Sequence, residues 1–233
     1  MSSTASASSG AQSTPRSPQQ RRLWHRALRH HLMLALVSAA LLGILATLSR
    51  ANDWHLRWSI ATAYVSLVLL CVTLLLGPWN VLRARPNPVS SDLRRDIGIW
   101  SALLGVAHVV VALSVYGLSI RRTIIRMVEA SGQRVPRVEW LALAYDLGLV
   151  ATVILVFLLA LSNDRALRAL RPHRWKALQR WNYGLFGLVA LHAIMFQSLE
   201  HRSLLFVISF GILIALVVIV QLAGVWRRMR RET

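Results

Sequence analysis

After residue 31 the chain runs in apolar blocks close to the roughly 20 residues that a helix needs to cross a bilayer, broken by short basic segments. Six such blocks predict six membrane-spanning helices, at about 32 to 49, 59 to 77, 97 to 118, 139 to 161, 179 to 199 and 203 to 225. The tryptophans support this frame. Trp24, Trp54, Trp58, Trp79, Trp100, Trp140, Trp175, Trp181 and Trp226 all fall at or near a proposed helix end, where an amphipathic ring favours the membrane interface. The flanks differ in kind. Residues 1 to 20 are rich in Ser, Ala, Thr, Gln and Pro without an apolar run of leader length, and read as a disordered tail. Residues 21 to 31 mix arginines with Leu23, Trp24 and Leu28, as expected of a basic juxtamembrane segment drawn to anionic lipid headgroups. The membrane domain then occupies 32 to 226, and 227 to 233 is a basic tail. The expected class is therefore an all-α integral membrane protein, a six-helix bundle.

Composition agrees and narrows the function. Hydrophobic residues make up 55% of the 233 and charged ones only 15%, with a mean hydropathy of +0.50, so no stretch remains for a soluble catalytic domain. The net charge of +18 would indicate nucleic-acid binding in a soluble domain, but in a membrane protein loop bases mostly set orientation. With the N-terminus inside, nineteen Lys and Arg fall on the cytoplasmic side and eight on the other, so both termini are expected in the cytoplasm. The single cysteine, Cys71, lies in an apolar block and excludes a disulfide framework or a thiolate cluster within one chain. A transporter is disfavoured too, because no inverted repeat or paired broken helices are visible.

Candidate chemistry comes down to histidine. His25, His30, His31, His55, His173 and His201 lie in interfacial or loop segments and read as surface residues. His108 and His192 instead lie deep in apolar blocks, where an imidazole must be hydrogen-bonded, ligated or facing a cavity. Blocks three and five run parallel, and each of these histidines lies roughly 18 to 20 Å beyond the basic boundary at about 1.5 Å per residue. Two imidazoles at matched depth suit axial ligation of a planar b-type haem from both sides. The plainer alternative is that each ring bonds a helix carbonyl and does nothing else. Ser101, Gly105 and Ala112, small residues on the face of His108, leave room for a macrocycle or for close helix packing.

Several motifs carry a family resemblance. Thr62-Ala-Tyr-Val-Ser-Leu67, Val72-Thr-Leu-Leu-Leu-Gly-Pro78, Leu93-Arg-Arg-Asp-Ile-Gly98 and His108 resemble the first half of a ferric reductase-like transmembrane domain. Leu159-Ala-Leu-Ser-Asn-Asp164, Arg174-Trp-Lys-Ala-Leu-Gln-Arg180, Tyr183 and His192 resemble its second half. The resemblance covers about residues 58 to 200 and is nearest to the haem-binding membrane subunits of bacterial periplasmic methionine sulfoxide reductase systems. It implies a b-haem electron conduit in the bacterial inner membrane, with His108 and His192 as axial ligands and metal contacts near the outer face. The family's Trp-Lys-x-Leu-His-Arg histidine is Gln179 here, which leaves a second, cytoplasmic-side haem without its ligand and one haem expected.

A single outer haem leaves the cytoplasmic half without a relay, and no dinucleotide fingerprint or flavin domain is present. The chain therefore reads as an electron-transfer subunit of an oxidoreductase rather than a self-sufficient enzyme, taking electrons from a membrane quinol or a separate flavin donor and passing them to a periplasmic redox protein. Arg94, 14 residues before His108 and close to four turns away, stands on the same stripe and could bind a flavin phosphate or a quinone oxygen, or simply a lipid phosphate. Asp146 is the acid well inside a block; it could orient a haem ligand or accept a proton from a quinol, or bond a boundary residue such as Tyr145. Arg121, Arg122, Arg126, Arg134 and Arg137 in the 119 to 138 loop would dock an acidic partner or hold haem propionates. The rival reading is a non-catalytic six-helix scaffold or assembly partner that has lost haem, and Gln179 favours it.

Overall fold

A computed structural model describes residues 18–49, 51–84, 90–115, 127–130, 133–136, 140–200 and 202–232. Among these, seven helices follow in chain order: α1 (Pro18–Leu48), α2 (Trp54–Leu82), α3 (Ser90–Val115), α4 (Trp140–Leu161), α5 (Asp164–Gln179), α6 (Trp181–Leu199) and α7 (Leu204–Glu232). Six stretches within them are long and apolar enough to cross a membrane: Leu28–Leu48, Trp54–Leu82, Asp92–Val115, Ala142–Leu161, His173–Leu199 and Leu204–Arg230. The protein is a multi-pass membrane protein. Its outward-facing apolar side chains fit that setting, since Val153 and Ile219 are each 63% exposed and would face water in a soluble bundle.

The helices overrun the apolar blocks at several ends, because a helix continues through the interface once its core is anchored. α1 already begins at Pro18, so the basic segment 21 to 31 continues the first span instead of preceding it. Residues 1–17 lie outside the described ones. Two elements depart from the six-helix expectation. Between α3 and α4, strands β1 (Met127–Ala130) and β2 (Gln133–Pro136) pair antiparallel, with Met127 opposite Pro136 and Ala130 opposite Gln133. The segment between Asp164 and Gln179, read as a basic loop, is helical. Asn163 caps it by accepting from the Ala166 amide at 2.8 Å, and Leu167, Leu170, Trp175 and Leu178 recur on its partly buried face. It breaks at Arg171 (φ 59°, ψ 149°), where the ring of Pro172 excludes the α conformation from the preceding residue.

α2 is the centre of the bundle, touching α1, α3, α6 and α7, and α4 pairs with α6. Leu67, Leu70, Cys71 and Leu74 of α2 pack with Ala151, Leu155 and Leu158 of α4, Leu185 of α6, and Phe210 and Val217 of α7. A second cluster, of Val65, Leu69 and Ile97, receives α1 through Leu34, Leu41 and Leu45. Hydroxyls clasp α2 to α3: Ser66 Oγ donates to the Ser101 carbonyl and Ser101 Oγ to the Ser66 carbonyl, both at 2.9 Å. Ser101 is thus occupied in helix packing and makes no room beside His108. Across the bundle α7 approaches α2 so closely at Gly224 that a Cβ there would lie 2.9 Å from Pro78 Cβ. Gly224→Leu is therefore expected to destabilise the bundle by about 1 to 3 kcal/mol, whereas Gly43→Leu, with nothing within 4 Å, leaves it unchanged; thermal unfolding of the two variants in one detergent measures the contrast.

Candidate functional site

α3 and α6 each carry a half-buried histidine seven residues before their last residue. The packing brings the two side chains together. The ring centres of His108 and His192 lie 6.5 Å apart with their planes at 76°. They line one apolar cavity of about 430 Å³ between α2, α3, α4, α6 and α7, walled by Leu67, Leu70, Val109, Leu155, Leu185 and Phe210. That volume is in the range of a small-molecule or cofactor site. Its polar lining gathers at the end of the bundle where α2 and α4 begin and where α6 turns into α7: Ser59, Tyr145, Asp146, Gln197, Glu200 and Arg202.

Each ring is held through the same nitrogen. His108 Nδ1 lies 2.9 Å from the Ser59 carbonyl, with Ser59 Oγ also at 3.3 Å, and His192 Nδ1 lies 2.8 Å from the Ala144 carbonyl. A carbonyl oxygen can only accept, so Nδ1 is the donor in both rings. A neutral imidazole with its proton on Nδ1 keeps a lone pair on Nε2, the arrangement in which metal-ligating histidines are found. Glycine makes the second bond possible. A Cβ on Gly148 would lie 2.7 Å from His192 Cε1 and 2.8 Å from Nδ1, so only a residue without a side chain lets this ring rest on α4 beneath the Ala144 carbonyl. Gly105 does the same for Leu155, whose Cδ1 would be 2.9 Å from an added Cβ, and Gly105 and Ala112 both line the cavity.

The residues present fit a haem group. Metal–imidazole bonds of about 2 Å on either side of one metal place the two ring centres roughly 6 to 6.5 Å apart, and the observed separation is 6.5 Å. The same distance also lies in the range of an ordinary edge-to-face ring contact, about 4.5 to 7 Å. Around the pair lie Nδ1 donation from both rings to main-chain carbonyls, which the plainer alternative also expects, a glycine cradle and an adjoining apolar cavity.

Other expected site residues fall elsewhere. Arg94 stands about 21 Å along α3 from His108 at 1.5 Å per residue; its guanidinium lies against Gly77 and is no part of the cavity lining. Asp146 does line the cavity, but its side chain is exposed, and the Nδ1 atoms of both histidines go to main-chain carbonyls instead of to it. The acid buried inside the bundle is Asp96, 7% exposed near the opposite end of α3. His30 Nδ1 lies 3.3 Å from its Oδ2 and His31 Nε2 3.9 Å from its Oδ1, while Trp100 donates its indole N–H to His31 Nδ1 at 3.1 Å. These two histidines therefore tie α1 to α3 and are not simple surface residues. Gln179, at the junction of α5 and α6, accepts from Asn182 Nδ2 at 3.1 Å. Arg121, Arg122, Arg126 and Arg137, and the side chain of Arg134, lie outside the described residues.

The sequence reading missed Ser59, Ala144, Gly148, Glu200 and Arg202. A carbonyl partner has no residue-type signature, so the first two were invisible; Gly148, one turn after Ala144, left a small-residue spacing as its only trace. Tyr64, also in the cavity wall, donates to the Phe206 carbonyl at 3.0 Å and accepts from Gln197 Nε2 at 3.2 Å, which joins α2, α6 and α7 beside the site. The chain matches no protein-family model and no curated protein.

Gly148→Ala is expected to push the His192 ring off the Ala144 carbonyl while leaving His108 in place. In protein labelled with 15N-histidine, the Nδ1–H resonance of His192 should shift or vanish and that of His108 should persist; two unchanged resonances would contradict the cradle.

Proposed function

We propose that the protein is a membrane b-type cytochrome that carries electrons through one haem held by His108 and His192, and that its likeness to ferric reductase-like transmembrane domains reflects this role. The observation that carries the reading is the pair of imidazoles 6.5 Å apart, each with Nδ1 bound to a carbonyl of a neighbouring helix. Among the described residues no group of three or more His, Cys, Asp or Glu is placed to hold a metal ion. Two imidazoles suit a metal that brings its own four equatorial nitrogens. Haem supplies one-electron iron chemistry at such a site.

The chain's own residues account for the rest. The Ser59 and Ala144 carbonyls fix the tautomer and the direction of each ring, and raise the basicity of Nε2. The leucines, Val109 and Phe210 give most of the cavity an apolar wall. With nineteen of the cationic residues on the side of both termini, positive-inside reasoning favours cytoplasmic termini and a cavity in the outer half of the bilayer, which on this reading is a bacterial inner membrane. On this reading a quinol or a separate flavoprotein would be the electron donor and a periplasmic protein the acceptor, and the protein would be an electron-transfer subunit of an oxidoreductase. One haem is expected, because Gln179 offers a poor iron ligand.

The test is a reduced-minus-oxidised visible spectrum of the detergent-purified protein with haem counted per chain. One low-spin b haem per chain, lost in both His108→Ala and His192→Ala, is the expected result. A colourless protein from haem-replete cells would leave the six-helix scaffold as the function.

A further inference from the structure

We propose that Arg202 anchors a propionate of the bound haem and so seats the macrocycle with its carboxylate edge toward the turn between α6 and α7; this rests on the cytochrome reading above. Haem is an apolar disc with two carboxylates on one edge. In an apolar bundle that edge has to reach water or a cation, because an unpaired charge in a water-free interior is strongly disfavoured. The cavity wall is aliphatic and aromatic over most of its extent, and among the described residues lining it Arg202 is the sole cation. Arg202 lies in the connection between α6 and α7, ten residues after His192, at the end of the cavity where its polar lining gathers.

The guanidinium is set in place. Its backbone amide bonds the Gln197 carbonyl at 3.3 Å, and its Nη2 is ion-paired with Glu200 Oε2 while the side chain is only 17% exposed. Glu200 neutralises a cation that would otherwise be poorly solvated there. A guanidinium carries five N–H donors and one carboxylate engages at most two of them, so pairing with Glu200 is compatible with a second carboxylate partner. Gln197, one of the same group, holds Tyr64 of α2, which ties this connection to the cavity wall. Glu200 already pairs with Arg202 and Asp146 also lines the site, so a ligand carboxylate at this end depends on the guanidinium donors that Arg202 has left. This makes the affinity for a carboxylated porphyrin sensitive to the one arginine.

The experiment titrates haem-depleted full-length protein in detergent with haem and with haem dimethyl ester, whose carboxylates are blocked, following the low-spin spectrum. Wild type is expected to bind haem at least tenfold more tightly than the ester. Arg202→Gln should lose most of that preference with little change in ester affinity, and Arg202→Lys should restore part of it. Glu200→Gln breaks the ion pair but keeps the cation, so its preference should match or exceed that of wild type. The ester titration doubles as the folding control, since a misfolded variant binds neither ligand. Equal affinities in wild type, or a preference that survives Arg202→Gln, would overturn the assignment and leave the cytochrome intact; so would loss of the preference in Glu200→Gln to the same degree. Failure of wild type to bind either porphyrin would overturn the cytochrome reading itself.

Discussion

In the hydrocarbon interior there is no water to satisfy a polar group, so each one inside the bundle must find its partner in the protein. That constraint explains most of the side-chain hydrogen bonds between helices. Ser66 and Ser101 satisfy each other's hydroxyls across α2 and α3, Tyr64 reaches the Phe206 carbonyl of α7, and Gln221 of α7 donates to the Leu74 carbonyl at 2.9 Å. α2 takes part in all of these contacts, and its buried threonines Thr62 and Thr73 instead satisfy their hydroxyls on carbonyls of α2 itself. Such bonds are worth modest amounts each, about 0.6 kcal/mol on average within membranes, but they select one rotation of each helix about its axis.

The two histidines obey the same constraint. An imidazole has two nitrogens and needs one of them bonded to be tolerated in an apolar environment. Here the bonded one is Nδ1 in both cases, and the partner in both cases is a carbonyl, which leaves the second nitrogen as an acceptor. Gly148 shows how closely the position is specified, since any side chain there would occupy the volume of the ring.

The two ends of the bundle are built differently. Near the histidine pair the polar residues surround a cavity. At the other end they fasten elements together: Arg95 pairs with Asp164 and so joins α3 to the start of α5, Trp175 donates to the Leu161 carbonyl at 2.9 Å, and Asp96 gathers His30 and His31 of α1. Asp96 is twelve residues from His108, about 18 Å along the same helix at 1.5 Å per residue. Gln179 belongs to this fastened end, where its side-chain oxygen accepts from Asn182 Nδ2.

The number and approximate limits of the apolar helices were legible in the sequence, because a bilayer imposes one length and one kind of side chain on any segment that crosses it. That His108 and His192 would lie near each other was legible for the same reason: polarity at depth is rare, and equal depth follows from counting residues. The basic helix α5 was not, since its charges at loop-like density masked four apolar residues at helical spacing and a proline interrupts it. Nor were the roles of Asp96, His30 and His31, which sit close to the boundary in sequence and meet only when α1 packs on α3. Which way each helix turns about its axis was decided by tertiary packing alone. Carbonyls, glycines and the connection between α6 and α7 built the cavity, and none of them announces itself by residue type, because main-chain oxygen is the same at every position.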